Sequence, residues 1–205
     1  MILIKQTSAV RVWSVYHRGM DSSNPSHYKL HLNQTDARAD ETNIFNDTEP
    51  TSSVFTVGSD SEVNGDGETY VAYLFGHDTS SDGMIQCGSF TDSSSGFTVD
   101  LGFEPQWLLT KRSDSTGNWE IVDVMRGFTA DRGYNRLFPN LSNTEDETTK
   151  LGVNSTGFFS TSAMETNGAT IVYMAIRRGP MATPTAASSV FDIQNSTTNN
   201  PAFTS

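Results

Sequence analysis

The chain has 205 residues, a formal net charge of −11 and 35% hydrophobic residues, with Ser, Thr, Asn, Gly and Asp filling most of the rest. That charge argues against nucleic acid and against anionic membrane surfaces, since both need clustered Lys and Arg. The single cysteine, Cys87, leaves no intrachain disulfide, and no run approaches the ~18 apolar residues of a membrane span.

In chain order, Met1 to Ile4 is apolar but too short for a signal-peptide core, and Lys5 ends it. Trp13-Ser14-Val15-Tyr16 predicts a strand with one wet face. Residues 35–40 offer at most one helical turn. Asp60, Glu62, Asn64, Asp66 and Glu68 alternate like calcium ligands, but Val71 stands where a bidentate Glu is required, so a solvated hairpin turn is expected. Residues 70–75 are apolar on both faces, the pattern of a central strand. Residues 84–90 and 97–101 predict two strands that lead through Gly102-Phe103-Glu104-Pro105 to another strand at Trp107. Trp119 opens the next, residues 143–149 offer one helical turn, and 170–176 repeat the pattern of a central strand. Clusters such as Asn64-Gly65, Asp82-Gly83, Gly117-Asn118 and Asn167-Gly168 supply the turns between them. After Pro180 the composition shifts to Ala, Thr, Ser, Asn and Pro, which predicts an extended arm or plain disorder with Val190, Phe191, Ile193 and Phe203 as its sticky residues.

The chain also says nearly the same thing twice. Landmarks Leu3, Trp13, Leu30-His31-Leu32-Asn33 and Gly67 through Phe75 recur in order at Leu109, Trp119, Leu137-Phe138-Pro139-Asn140 and Gly168 through Ile176. The offset is 106 residues between the tryptophans and 101 between the glycines. This predicts an all-β fold of two related β-sandwich or jelly-roll-like modules. The first spans 1–79 and lacks leading strands, the second spans 80–180 and has them, and 181–205 form the C-terminal arm.

The constellations that could carry chemistry are defective. Glu120 and Asp123 are three apart on a strand and face opposite sides, and Met125 occupies the place of a further carboxylate. The four histidines show no metal spacing, Gly-x-Ser-x-Gly is absent, and Cys87 is expected to be packed. No catalytic residue, metal or cofactor is expected. The rival reading is a polysaccharide depolymerase using Glu104, Glu120 or Asp123. Where a ligand is bound, a carbohydrate such as a host surface polysaccharide is expected, stacked on Trp13, Trp119 or Tyr134. Core packing is the competing role for these aromatics. Five Asn-x-Ser/Thr sequons fall at Asn33, Asn46, Asn140, Asn154 and Asn195, a number that composition alone can produce.

Gly102-Phe103-Glu104-Pro105-Gln106-Trp107-Leu108-Leu109-Thr110-Lys111-Arg112, the Pro50 to Gly58 stretch, and Tyr173-Met174-Ala175-Ile176-Arg177-Arg178-Gly179-Pro180 together resemble repeat modules of tailed-phage virion structural proteins of the tail-fibre or appendage type. The resemblance implies concanavalin-like β-sandwich modules in an extracellular or virion assembly and implies no catalytic residues. The expectation is a non-enzymatic, self-associating protein whose arm fills the strand vacancies of a neighbour's first module, head to tail, giving a ring or filament. An equally open alternative is a fragment whose missing strands lie upstream in a longer parent.

Overall fold

The computed structural model describes residues 1–179, so the expectations placed on Val190, Phe191, Ile193 and Phe203 lie outside the described residues. The chain is mostly β, as expected. The first segment contributes β1 (Ile2–Gln6), β2 (Trp13–Tyr16), β3 (Tyr28–His31) and β4 (Ala39–Asp40), then helical turns α1 (Thr42–Phe45) and α2 (Ser61–Asn64), then β5 (Tyr70–Leu74). The second contributes β6 (Ile85–Thr91), β7 (Phe97–Asp100), β8 (Pro105–Arg112), β9 (Trp119–Asp123), β10 (Tyr134–Arg136) and β11 (Asp146–Thr148). It ends with β12 (Gly152–Asn154), β13 (Gly157–Ser160) and β14 (Thr170–Arg177).

Two antiparallel sheets organise these strands. The first has the order β4-β3-β2-β1-β5, the second β6-β14-β8-β9. Their registers correspond. Lys5 faces Trp13 and Lys111 faces Trp119, while Leu3 faces Tyr73 and Leu109 faces Met174. The Trp13 amide donates to Asn33 Oδ1 at 2.9 Å and the Trp119 amide to Asn140 Oδ1 at 2.9 Å.

Period-2 alternation puts one face of each segment's main sheet against the other. Met1, Val15, Leu30 and Met20 of the first segment meet Cys87, Leu109, Trp119, Val172 and Met174 of the second in one apolar layer. The loop carrying His17 comes so close to β6 that a Cβ on Gly19 would lie 2.6 Å from the Gly88 carbonyl oxygen. Each outer face has its own cover. Ile2, Ile4 and Tyr16 pack under Ile44, Phe45 and Val63 of the two helical turns. Leu108, Val122, Tyr173 and Ala175 pack under Phe103, Phe128, Leu151 and Phe158, with the small sheet β12-β13-β7.

Three local expectations change. Residues 35–40 and 143–149 hold β4 and β11 rather than helical turns, and β11 is held to β10 by Arg136 gripping Asp146 through two hydrogen bonds of 2.9 and 3.0 Å. The 60–68 loop contains α2, whose first turn is capped by Asp60 accepting from the Glu62 amide at 2.8 Å. The segment expected as a first central strand, β5, is an edge strand. Of the two strands expected to be central, β14 alone is flanked on both sides among the described residues.

Candidate functional site

Most residues singled out for chemistry are spent on structure. Trp119 and Tyr134 are 1% and 2% exposed and present no face to a ligand. The Trp119 indole N–H instead donates to the His31 carbonyl at 2.8 Å, tying the two sheets together, and the Tyr134 hydroxyl accepts from the Leu151 amide at 3.1 Å. Trp13 is half-buried and stacks on Tyr73 with ring centroids 6.1 Å apart.

The three carboxylates of the depolymerase reading do not converge. Glu120 is buried, accepts from Arg136 at 2.9 Å through one oxygen, and leaves Oε2 without a partner. Burial raises its pKa against the opposing pull of Arg136. Asp123 ends β9, accepts from the Arg126 amide at 3.0 Å and pairs with its guanidinium. Glu104 pairs with Arg178 at 3.2 Å on the surface. A cleft of about 690 Å³ does lie beside Asp123, lined by Trp107, Arg126, Asn135 and Glu145, but Glu120 and Glu104 are not part of it.

The acidic alternation at 60–68 likewise disperses. Glu62 accepts from Ser14 Oγ at 3.0 Å, from Lys29 at 3.2 Å and from His31 Nε2 at 3.1 Å. The His31 hydrogen bond is the main reason that the Glu62 pKa falls to about 2; burial opposes this, and His31, Lys29 and the Ser14 hydroxyl add smaller lowering contributions. Glu68 takes the Ser8 hydroxyl, and Asn64 donates to the Gly58 carbonyl at 2.9 Å. Among the described residues no group of three or more His, Cys, Asp and Glu has the geometry to hold a metal.

Among the described residues the outer edge of β5 pairs with no strand. The Met1 amine donates to the Phe75 carbonyl at 3.0 Å, the Phe75 amide returns to the Met1 carbonyl at 2.9 Å, and the Thr7 amide donates to the Thr69 carbonyl at 2.8 Å. Antiparallel alternation therefore turns the backbone groups of Val71 and Tyr73 toward β1 and those of Tyr70, Ala72 and Leu74 outward. No described strand meets them. The matching side of β14 is filled by β6, with Ala175 facing Gln86 and Tyr173 facing Gly88. Beside the open edge Tyr73 is 48% and Leu74 61% exposed, and Leu74 borders an apolar groove of about 390 Å³ with Ile2, Val54 and Phe55. Val54 on its rim is 63% exposed.

An antiparallel, mostly β protein whose strand β5 meets no described strand on its outer side is the class these features define. The chain belongs to the family described as a domain of unknown function, DUF7483, whose model matches residues 1–180 and so takes in all fourteen strands. No curated protein and no solved structure matches it. Ala72, Leu74 and Val54 were not legible as site residues, because edge status depends on which strand is missing alongside. Asn33 and Asn140, which stood out as sequons and as matched landmarks of the repeat, accept from the two tryptophan amides.

Proposed function

We propose that this chain is a non-enzymatic structural module, built by internal duplication, that self-associates through strand pairing at β5 within an extracellular assembly such as a virion tail fibre or appendage. The observation that carries the reading is the open edge itself. Natural sheets blunt exposed edges with charge, proline or bulges, and β5 has none of these on its five residues. Apolar side chains sit beside unpaired backbone groups, which is the arrangement used for strand addition. The duplication is supported by the shared registers and by the paired Trp–Asn hydrogen bonds. The virion setting is supported by the resemblance of the Gly102 to Arg112 and Tyr173 to Pro180 strings.

The test exploits the direction of one amide. The Ala72 N–H points away from β1, so Ala72→Pro removes an outward donor without breaking the β1 ladder. Wild-type protein should sediment as oligomers that dissociate on dilution, and Ala72→Pro should sediment as a folded monomer. A wild-type protein that stays monomeric at high concentration, or a variant that assembles as well as wild type, overturns the reading.

A second reading, sugar binding, is favoured by the half-buried Trp13 of β2, which stacks across β1 on the exposed Tyr73 of the β5 edge. Glycan-array binding that disappears with Trp13→Ala would support it, and an array without signal for assembled protein would count against it.

A further inference from the structure

We propose that the open edge of β5 receives segment 190–193 (Val-Phe-Asp-Ile) of a second copy of this chain. The segment runs antiparallel to β5, with Phe191 opposite Leu74 and Ile193 opposite Ala72. The inference rests on the reading of β5 as an assembly edge and adds the identity and register of the strand that fills it.

The fold supplies the template. β6 lies antiparallel to β14 on the side that is vacant at β5, and its pairs Gln86–Ala175 and Gly88–Tyr173 involve the β14 residues corresponding to Leu74 and Ala72. In that mode the outward groups of Ala72 and Leu74 bond segment 190–193, and those of Tyr70 bond its continuation at Asn195. Residues directly opposite share a face of the sheet. Phe191 then lies over the groove formed by Ile2, Val54, Phe55 and Leu74, and Ile193 sits above the small Ala72. Asp192 falls on the other face, opposite the half-exposed Tyr73.

Residues 181–205 lie outside both the family match and the described sheets. Within them only Phe191 and Ile193 are two large apolar residues spaced by two, the spacing a strand needs to present both to one face. Asp192 is the sole charged side chain of the whole stretch and so carries only one of the chain's 24 acidic groups, and the segment meets little repulsion from the acidic body. Pro180 and Pro184 favour extended backbone before them. Ten extended residues reach roughly 35 Å, on the order of the diameter of a domain this size, which carries the segment to a neighbour. Each copy then both donates and accepts a strand, and repetition closes a ring or grows a filament.

The experiment uses full-length chains in two differently tagged populations, one carrying Tyr73→Cys and the other Asp192→Cys. In the proposed register these face each other as a non-hydrogen-bonded pair, where Cα atoms approach to about 4.5 Å and a disulfide can close. The native Cys87 is buried and stays out of the exchange. Mild oxidation of the mixture should give a disulfide-linked dimer of both tags. The off-register pairing of Tyr73→Cys with Ser189→Cys should give less than about a tenth as much. No mixed dimer above that off-register level, or cross-linking only within a single chain when both cysteines share it, overturns the proposal. In a second arm, Phe191→Asp with Ile193→Asp should weaken self-association at least tenfold per anchor, roughly the value of burying one large apolar side chain. If this variant assembles normally while Ala72→Pro does not, the donor strand is refuted and the β5 edge stands. If neither variant changes assembly, the edge reading fails as well.

Discussion

His17 shows how a single side chain fixes the contact between the sheets. Its Nδ1 accepts from the Gly19 amide at 3.1 Å, which leaves Nε2–H to donate to the Tyr173 carbonyl at 2.9 Å across the interface. Burial, reinforced by the N-terminal ammonium, pushes its pKa down to about 3. In the unfolded chain it returns to the ordinary 6.5, so between those values the unfolded state holds the extra proton and the folded state does not. Its contribution is therefore complete above pH 6.5 and is lost as pH falls toward 3, by up to about 1.4 kcal/mol per pH unit. Denaturant titrations should show that slope, and His17→Gln should flatten it while lowering stability at neutral pH. Glu120 offers a contrasting case. Its partner Arg136 also clamps Asp146, so Arg136→Ala leaves a buried carboxyl alone and should cost about 3–5 kcal/mol. Glu120→Gln, which removes the charge from a group already pushed toward its neutral form, should cost less than about 1.5 kcal/mol in the same denaturant titrations. Equal losses from the two would show that the pair is not organised as described.

At the scale of elements, the layer shared by the two sheets makes the halves interdependent. Leu109 is buried within it against residues of both segments. Leu109→Ala should cost about 2–5 kcal/mol and lower a single unfolding transition followed by both circular dichroism and Trp fluorescence. Two separable transitions would mean that the halves fold independently. Strand positions were largely legible from the sequence because an apolar run between turn signals is a local property: residues 13–16, 97–101 and 170–176 match β2, β7 and β14 closely. Short strands stabilised by distant partners were not legible. β11 looks like a polar turn until Arg136 pairs with it, and β12–β13 turns through Ser155 and Thr156 in a stretch read as another sequon. The candidate site was half legible. The matched landmarks led to the expectation of an open strand position in the first segment, but the two-sided apolar pattern of β5 suggested a covered strand. That pattern does not tell a strand covered by its own chain from one left for a partner.

At the scale of the molecule, four layers stack: helical turns and loops, the first sheet, the second sheet, and the small outer sheet. Among the described residues no strand does at β5 what β6 does at β14, and this asymmetry supports the proposed assembly. Strand addition there would satisfy the outward groups of Tyr70, Ala72 and Leu74 and cover Leu74 and Val54. The most direct measurement is amide hydrogen exchange resolved by residue, at protein concentrations below and above the onset of association. The amides of Tyr70, Ala72 and Leu74 should exchange freely in the dilute protein and become protected together as it associates, while those of Val71 and Tyr73 stay protected throughout. Rapid exchange of the three outward amides at every concentration, in protein that nevertheless associates, would contradict the assignment of β5 as the assembly edge.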